Sequence, residues 1–198
     1  MSPVEERNTA DVGGVYSSIV DESVTQSMDA FRWRRYARRD APALAALFRE
    51  AVLAATHYDV RARTAWAHGA ADLDAFRRTL AHGLTLVAVA QPRDDEAAHG
   101  EEALAAFAQL HPADHVEMLY TAPRWAGRGL ASSLLARLEA AAREAGAVVL
   151  TADASAAARN VFERAGFGCA GGEVVWREGV SLRRFRMCKP LNATQDFR

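Results

Sequence analysis

"PRWAGRGLASSLL", Pro123 to Leu135, decides how the rest of the chain is read. Gly127 and Gly129 sit two apart between arginines, and an apolar helical run follows at once. Backbone N–H groups at a helix start lack internal partners, and the aligned peptide dipoles add partial positive charge there. Glycine lets the backbone turn tightly and approach a ligand closely. Arg124 and Arg128 add formal charge, and Ser132 and Ser133 add hydroxyl donors. Together these describe a seat for a phosphate or pyrophosphate. Two better-known phosphate motifs fit poorly. The P-loop requires GxxxxGK[ST], which the chain lacks. The Rossmann fingerprint requires GxGxxG near the first strand, whereas this stretch lies past mid-chain with only two glycines. A loop that merely uses glycine is the plain alternative.

The flanks give the stretch a setting. His115–Thr121 alternates like a strand and pairs with Ala103–Leu110 across "HPAD". Val116, Leu119 and Thr121 cannot all face one way under strict alternation, which predicts a β-bulge near Met118. Downstream, Leu130, Leu134, Leu135 and Leu138 form one stripe of a helix over Gly129–Ala145, stopped by Gly146. A short buried strand at Val148–Ala152, a helix over Ser155–Ala165, and a hairpin of Glu173–Arg177 with Ser181–Cys188 follow. Upstream, Phe31–Ala37 reads as a strand, and Asp40 can cap a helix carrying Leu44, Leu47, Phe48 and Val52. Thr56–Ala67 reads as loop plus short helix, Asp72–Ala81 as a helix, and Leu84–Ala90 as a strand. Helices alternate with strands while the middle and end hold hairpins. That pattern predicts an α/β (α+β) fold on a mixed sheet.

Composition narrows the class. The 198 residues are 50% hydrophobic and 25% charged, enough for one domain with a real core. The formal net charge of −1 offers no basic excess for nucleic acid. No apolar run reaches the ~18 residues needed to cross a bilayer, so no membrane partner is expected. His111 and His115 are the closest histidine pair, but Pro112 separates them and no Cys or carboxylate cluster joins them. No metal is expected. Cys169 and Cys188 form no redox or metal motif, which suits a reducing, cytoplasmic setting. Residues 1–30 are polar and aperiodic and read as a disordered N-terminal tail. The domain then spans 31–191, with a short C-terminal tail at 192–198. The sequence leaves a homodimer open.

With its neighbours, the glycine stretch resembles the GCN5-related N-acetyltransferase (GNAT) family, in one of its bacterial branches. "RWAGRG" matches that family's R/Q-x-x-G-x-G/A motif, and "LYTAP" precedes it as the fourth strand does there. "NVFERAGF" resembles the second motif, "GVSLRRFRMCKPL" the closing strand, and "HYDVRARTAWA" the "Y…AW" element. The resemblance covers about Phe31 to Leu191. It implies a sheet of about seven mostly antiparallel strands, flanked by about four helices and splayed between strands four and five. It further implies acetyl-CoA as co-substrate and an amine acceptor, small molecule or protein. The cofactor's arm would pair with Leu119, Tyr120 and Thr121. Its pyrophosphate would sit on Gly127, Arg128, Gly129, Leu130 and Ala131, near Ser132 and Arg124.

The chemistry so implied has three needs: a neutral amine, a donor for the developing oxyanion, and a proton for the leaving thiolate. Glu117 lies where the family often places its general base, and His115 could act directly or through water. Both also suit solvated strand positions. The Leu119 N–H is the expected oxyanion donor. The family's usual tyrosine acid is replaced by Phe162, which has no proton to give, and Ser155 stands where asparagine is common. Tyr120 is the nearest tyrosine that could take the role, with packing as its alternative. His57, Tyr58 and Trp66 fall where the acceptor pocket is covered, and core or lid packing would suit them as well. Two classes of function result: a transferase, or an acyl-CoA-binding sensor with little catalysis.

Overall fold

The computed structural model describes residues 30–91 and 102–191. Apart from Ala30, the tails expected over 1–30 and 192–198 lie outside these residues, as does most of the charged segment after Ala90. Strand β1 (Phe31–Arg35) leads into helices α1 (Ala41–Leu53), α2 (Val60–Ala67) and α3 (Leu73–Ala81). Strands β2 (Leu84–Ala90), β3 (Ala103–Leu110) and β4 (His115–Thr121) follow, then α4 (Leu130–Glu144), β5 (Val149–Ser155), α5 (Arg159–Arg164), β6 (Gly168–Arg177) and β7 (Val180–Pro190). The seven strands form one sheet in the order β1-β2-β3-β4-β5-β7-β6. Among the described strands, β4 and β5 run parallel and every other neighbouring pair runs antiparallel.

Alternation along β2 and β3 divides the core into two layers. Ala88, Ala106 and Ala108 face α4, where Leu130, Leu134, Leu135 and Leu138 pack. Small strand residues let that helix sit close. Val87, Val89 and Phe107 face the other way, onto Leu44, Phe48, Phe76 and Leu80 of α1 and α3. A bulge in β3 leaves Ala105, which also packs in the α4 layer, without a β2 partner, since Ala88 pairs with Ala106 and Val89 with Leu104.

The described residues hold five α-helices, in keeping with the expected number of about four, and the short helix expected within Thr56–Ala67 forms over Val60–Ala67, capped by Asp59, whose carboxylate accepts the Ala62 N–H at 2.7 Å. Other expectations are corrected. Asp40 makes no cap bond to α1. Its buried carboxylate instead takes the Arg34 guanidinium at 2.6 and 2.9 Å and the Ala37 N–H at 2.7 Å. Strand β5 runs on through Ser155, so the next helix starts at Arg159, later than expected. Strand β6 starts at Gly168, five residues earlier than expected, because β7 supplies the pairing that "GCAGG" does not advertise. No helix among the described residues is long and apolar enough to cross a membrane.

Candidate active site

The site forms where two strands part. β4 and β5 share only the positions His115–Thr151 and Val116–Ala152. Beyond them β4 stays with β3 as far as Thr121, and β5 stays with β7 as far as Ser155. A bulge marks the parting: Met118 pairs with Gln109 and Val116 with Leu110, which leaves Glu117 unmatched. The bulge expected near Met118 is therefore present.

The glycine turn closes one end of the gap. After a short turn at Pro123–Trp125, Gly127 and Gly129 both adopt φ of +76°, and Gly129 caps α4. A Cβ at either glycine would meet nothing within 4 Å, so their requirement is conformational and the space beside them is open. The first helical backbone bond runs from Ser133 N–H to Gly129 O at 3.0 Å, so the N–H groups of Leu130, Ala131 and Ser132 precede the ladder. The Arg128 guanidinium stacks on Trp125, 4.8 Å from the ring centre. Arg124 lines a separate hollow with Glu50 and Glu102.

Three connected spaces surround the gap. A largely apolar cavity of about 470 Å³ is lined by Leu119, Tyr120, Thr121, Ala131, Ser155, His57, Tyr58 and Trp66. On the other side lies a more polar cavity of about 250 Å³, with His115, Glu117, Asp153, Arg177 and Arg184 in its walls. A neck of about 50 Å³ is lined by Glu117, Leu119, Tyr120, Ser155 and Phe162. Trp66 and Tyr120 line all three. His57 and Tyr58 thus stand on the glycine-turn side, while Trp66 reaches both.

His115 and Glu117 share the polar side. The His115 Nε2 lies 3.8 Å from a Glu117 carboxylate oxygen that is half exposed. The other ring nitrogen, Nδ1, is 2.8 Å from Thr151 Oγ1, which itself donates to the Asp114 carbonyl at 3.1 Å. Thr151 has spent its hydrogen, so it accepts from Nδ1–H. The neutral imidazole then presents the Nε2 lone pair toward Glu117, and in the cationic form Nε2–H faces that carboxylate.

Tyr120 packs between Phe48, at 4.7 Å between ring centres, and Phe107, at 5.5 Å. Burial pushes its hydroxyl up to about 12, against the Trp66 indole and the Arg177 charge, which pull it down. The phenol is therefore protonated at neutral pH. Phe162 is buried and meets Phe167 edge-on at 5.1 Å. The Ser155 hydroxyl accepts the Ala158 N–H at 3.1 Å and shapes the entry to α5. Tyr58 is fully engaged: its hydroxyl donates to the Arg183 carbonyl at 2.6 Å and accepts the Ala156 N–H at 3.0 Å. Burial raises the pKa of that phenol.

Thr151, Asp153, Arg177 and Arg184 escaped the sequence reading. They come from β5, β6 and β7, and only the sheet order brings them beside β4. The one available signal was the alternation of polar Thr151, Asp153 and Ser155 with apolar residues in "VLTADAS".

Comparison with known proteins places this geometry. Residues 54–189 match the family model "Acetyltransferase (GNAT) domain". The chain belongs to the GNAT acetyltransferase family and is an acyltransferase. A GCN5-related N-acetyltransferase from Rhodopseudomonas palustris is similar at 32% identity and a TM-score of 0.73, covering 80% of this chain and 94% of that one. The YncA structure from Salmonella typhimurium, solved with its cofactor acetyl-CoA, shares the fold at 22% identity and a TM-score of 0.54, covering 84% and 98%. So does the PaiA N-acetyltransferase from Thermoplasma acidophilum in complex with coenzyme A, at 15% identity and 0.56, covering 81% and 98%. No curated protein sequence matches the chain.

Proposed function

We propose that this protein moves the acetyl group of acetyl-CoA onto a primary amine, of a small molecule or a protein, by direct attack within a ternary complex. One observation carries the reading: the parted β4–β5 seam has the glycine turn on one side of a narrow neck and the His115–Glu117 pair on the other. The residues present suit coenzyme A. The turn offers open space beside two positive-φ glycines and unladdered N–H groups, which suits a pyrophosphate. The 470 Å³ cavity runs along Leu119, Tyr120 and Thr121, where the pantetheine arm would lie.

Acetyl-CoA supplies an activated carbonyl when bound. The chain's own groups do the rest. Glu117 takes a proton from the acceptor ammonium, with His115 Nε2 able to accept it in turn. The Leu119 N–H donates to the oxygen on which charge develops. The new C–N bond replaces the C–S bond; Tyr120 gives the departing sulfur its proton, filling the role that Phe162 cannot, and the second proton shed by the attacking nitrogen returns to the phenolate through water. Thr151 holds the His115 ring in the tautomer this path needs.

The test is thiol release from acetyl-CoA against a broad set of amines, with coenzyme A binding measured alongside. Amine-dependent release above the no-protein rate is expected. Confirmed binding without release from any amine would return the acyl-CoA sensor as the better reading.

A further inference from the structure

The polar cavity holds a charge that the transfer step leaves unused. Arg177 ends β6, opposite Val180 at the tip of the β6–β7 hairpin, and lines the cavity with Glu117. Arg184, the other arginine there, is already committed. Its Nε donates to Glu173, and it stands 3.2 Å from an Asp153 carboxylate oxygen. The Arg177 guanidinium makes no ion pair or hydrogen bond among the described residues. It is nonetheless close enough for its charge to act on the Tyr120 hydroxyl. The hairpin tip is set against the end of α2, where His68 Nδ1 lies 3.6 Å from Glu178.

The cavity therefore presents one unengaged cation together with the half-exposed Glu117. Its remaining wall includes Phe48, Phe76 and Met118. About 250 Å³ is room for roughly eight waters, which suits one small molecule. A guanidinium fork matches a carboxylate with two parallel N–H bonds. An amine docked at Glu117 with an anionic group beside it would satisfy both charges at once.

We infer that the acceptor is a free α-amino acid, its ammonium at Glu117, its carboxylate on the Arg177 fork and its side chain over Phe48 and Phe76. This rests on the acetyl-transfer reading only for the choice of which side of the neck takes the acceptor. A polyamine or a lysine side chain in a protein would leave Arg177 unanswered.

Two readouts keep the two readings apart. The full-length protein with coenzyme A bound is titrated by calorimetry with the twenty common L-amino acids, and with the carboxamides of those that bind. Thiol release from acetyl-CoA is measured on the same compounds. At least one amino acid should be favoured thirtyfold or more over its carboxamide, in Kd or in kcat/KM. Arg177→Gln should collapse that preference to within threefold, and Arg177→Lys should keep part of it, since charge survives without the fork. Coenzyme A affinity of each variant reports that it is folded. Equal handling of acid and amide by the wild type, or a preference that survives Arg177→Gln, overturns the assignment. Failure of every amino acid to bind or react does the same. Arg177-dependent binding without thiol release would uphold the acceptor class and overturn transfer. Release with plain alkyl amines and no preference for the acid would do the reverse.

Discussion

The two halves of the sheet are built differently. In β2 and β3, Val87, Ala88, Ala106, Phe107 and Ala108 are fully buried, because helices cover both faces. In β6, Val174 and Trp176 remain 58% and 72% exposed. Between the halves runs the β4–β5 seam, paired at two positions only. The seam collects His115, Glu117, Tyr120, Thr151 and Asp153, while the buried polar side chains of the first half, Asp40, Thr85 and Gln109, are tied to their own scaffold. The difference has a physical cause. Where strands are paired and covered, a charged side chain costs more than it returns. Where pairing stops, backbone groups are left for a ligand, and side chains freed from packing can carry charge.

The two halves should respond differently to substitution. The largest expected effect is at the seam: Glu117→Gln should lower kcat/KM by roughly 10²–10⁴ if Glu117 is the base. Thermal stability and coenzyme A affinity should stay near wild type. A wild-type pH–rate profile in that mutant would move the role to His115 or water.

The scaffold half should respond in stability instead. Burial pushes the Asp40 carboxyl up, but the Arg34 fork and the Ala37 N–H outweigh it and hold it below the ordinary carboxylate value. Its contribution is present above the unfolded pKa of about 4 and is lost as pH falls through the folded value. Asp40→Asn should cost about 3 kcal/mol at neutral pH, the low end for a broken buried pair because Glu102 still reaches Arg34. The mutant's acid unfolding curve should be flatter between pH 5 and 2 (about the window of such a carboxylate). Leu44→Ala, at a fully buried site on α1, should cost about 2.7–5 kcal/mol by denaturant melts. Its kcat/KM should be unchanged wherever the protein is still folded. A large kinetic loss in folded Leu44→Ala would show that the halves are not separable.

Tyr120 stands at the join of the two halves, packed against Phe48 and Phe107 and lining the seam cavities. Tyr120→Phe keeps the ring against Phe48 and Phe107 and removes only the hydroxyl. Turnover should fall ~10²-fold with little change in stability if that hydroxyl protonates the thiolate. With its hydroxyl pushed up to about 12, the wild type should keep its kcat beyond pH 10 on the alkaline side. The smallest effect is expected at the turn. Gly129→Asp adds a negative charge, and a side chain at φ +76°, where phosphate should sit. Calorimetry should show coenzyme A affinity falling at least tenfold, about 1.4 kcal/mol.

Sequence alone determined what is local. Two glycines before an apolar stripe specify a positive-φ turn at a helix start, and residues 127–135 form it as read. Alternation in β2 to β4 and the leucine spacing of α4 place the core, and the parity conflict at Val116 and Leu119 announces the bulge that sets Glu117 apart. Tertiary structure decided what depends on partners distant in the chain. Strand β6 begins in glycines because β7 holds it, and Ser155 stays in a strand because Arg184 lies opposite. Thr151 orients His115 across a parallel register that no run of residues encodes. Arg177, ordinary at a hairpin end in sequence, shares a cavity with Glu117 although β5 and β7 lie between their strands, β6 and β4, in the sheet. Pairing across the sheet is set by the summed burial of many side chains, so its consequences appear in the assembled fold and not in any single stretch.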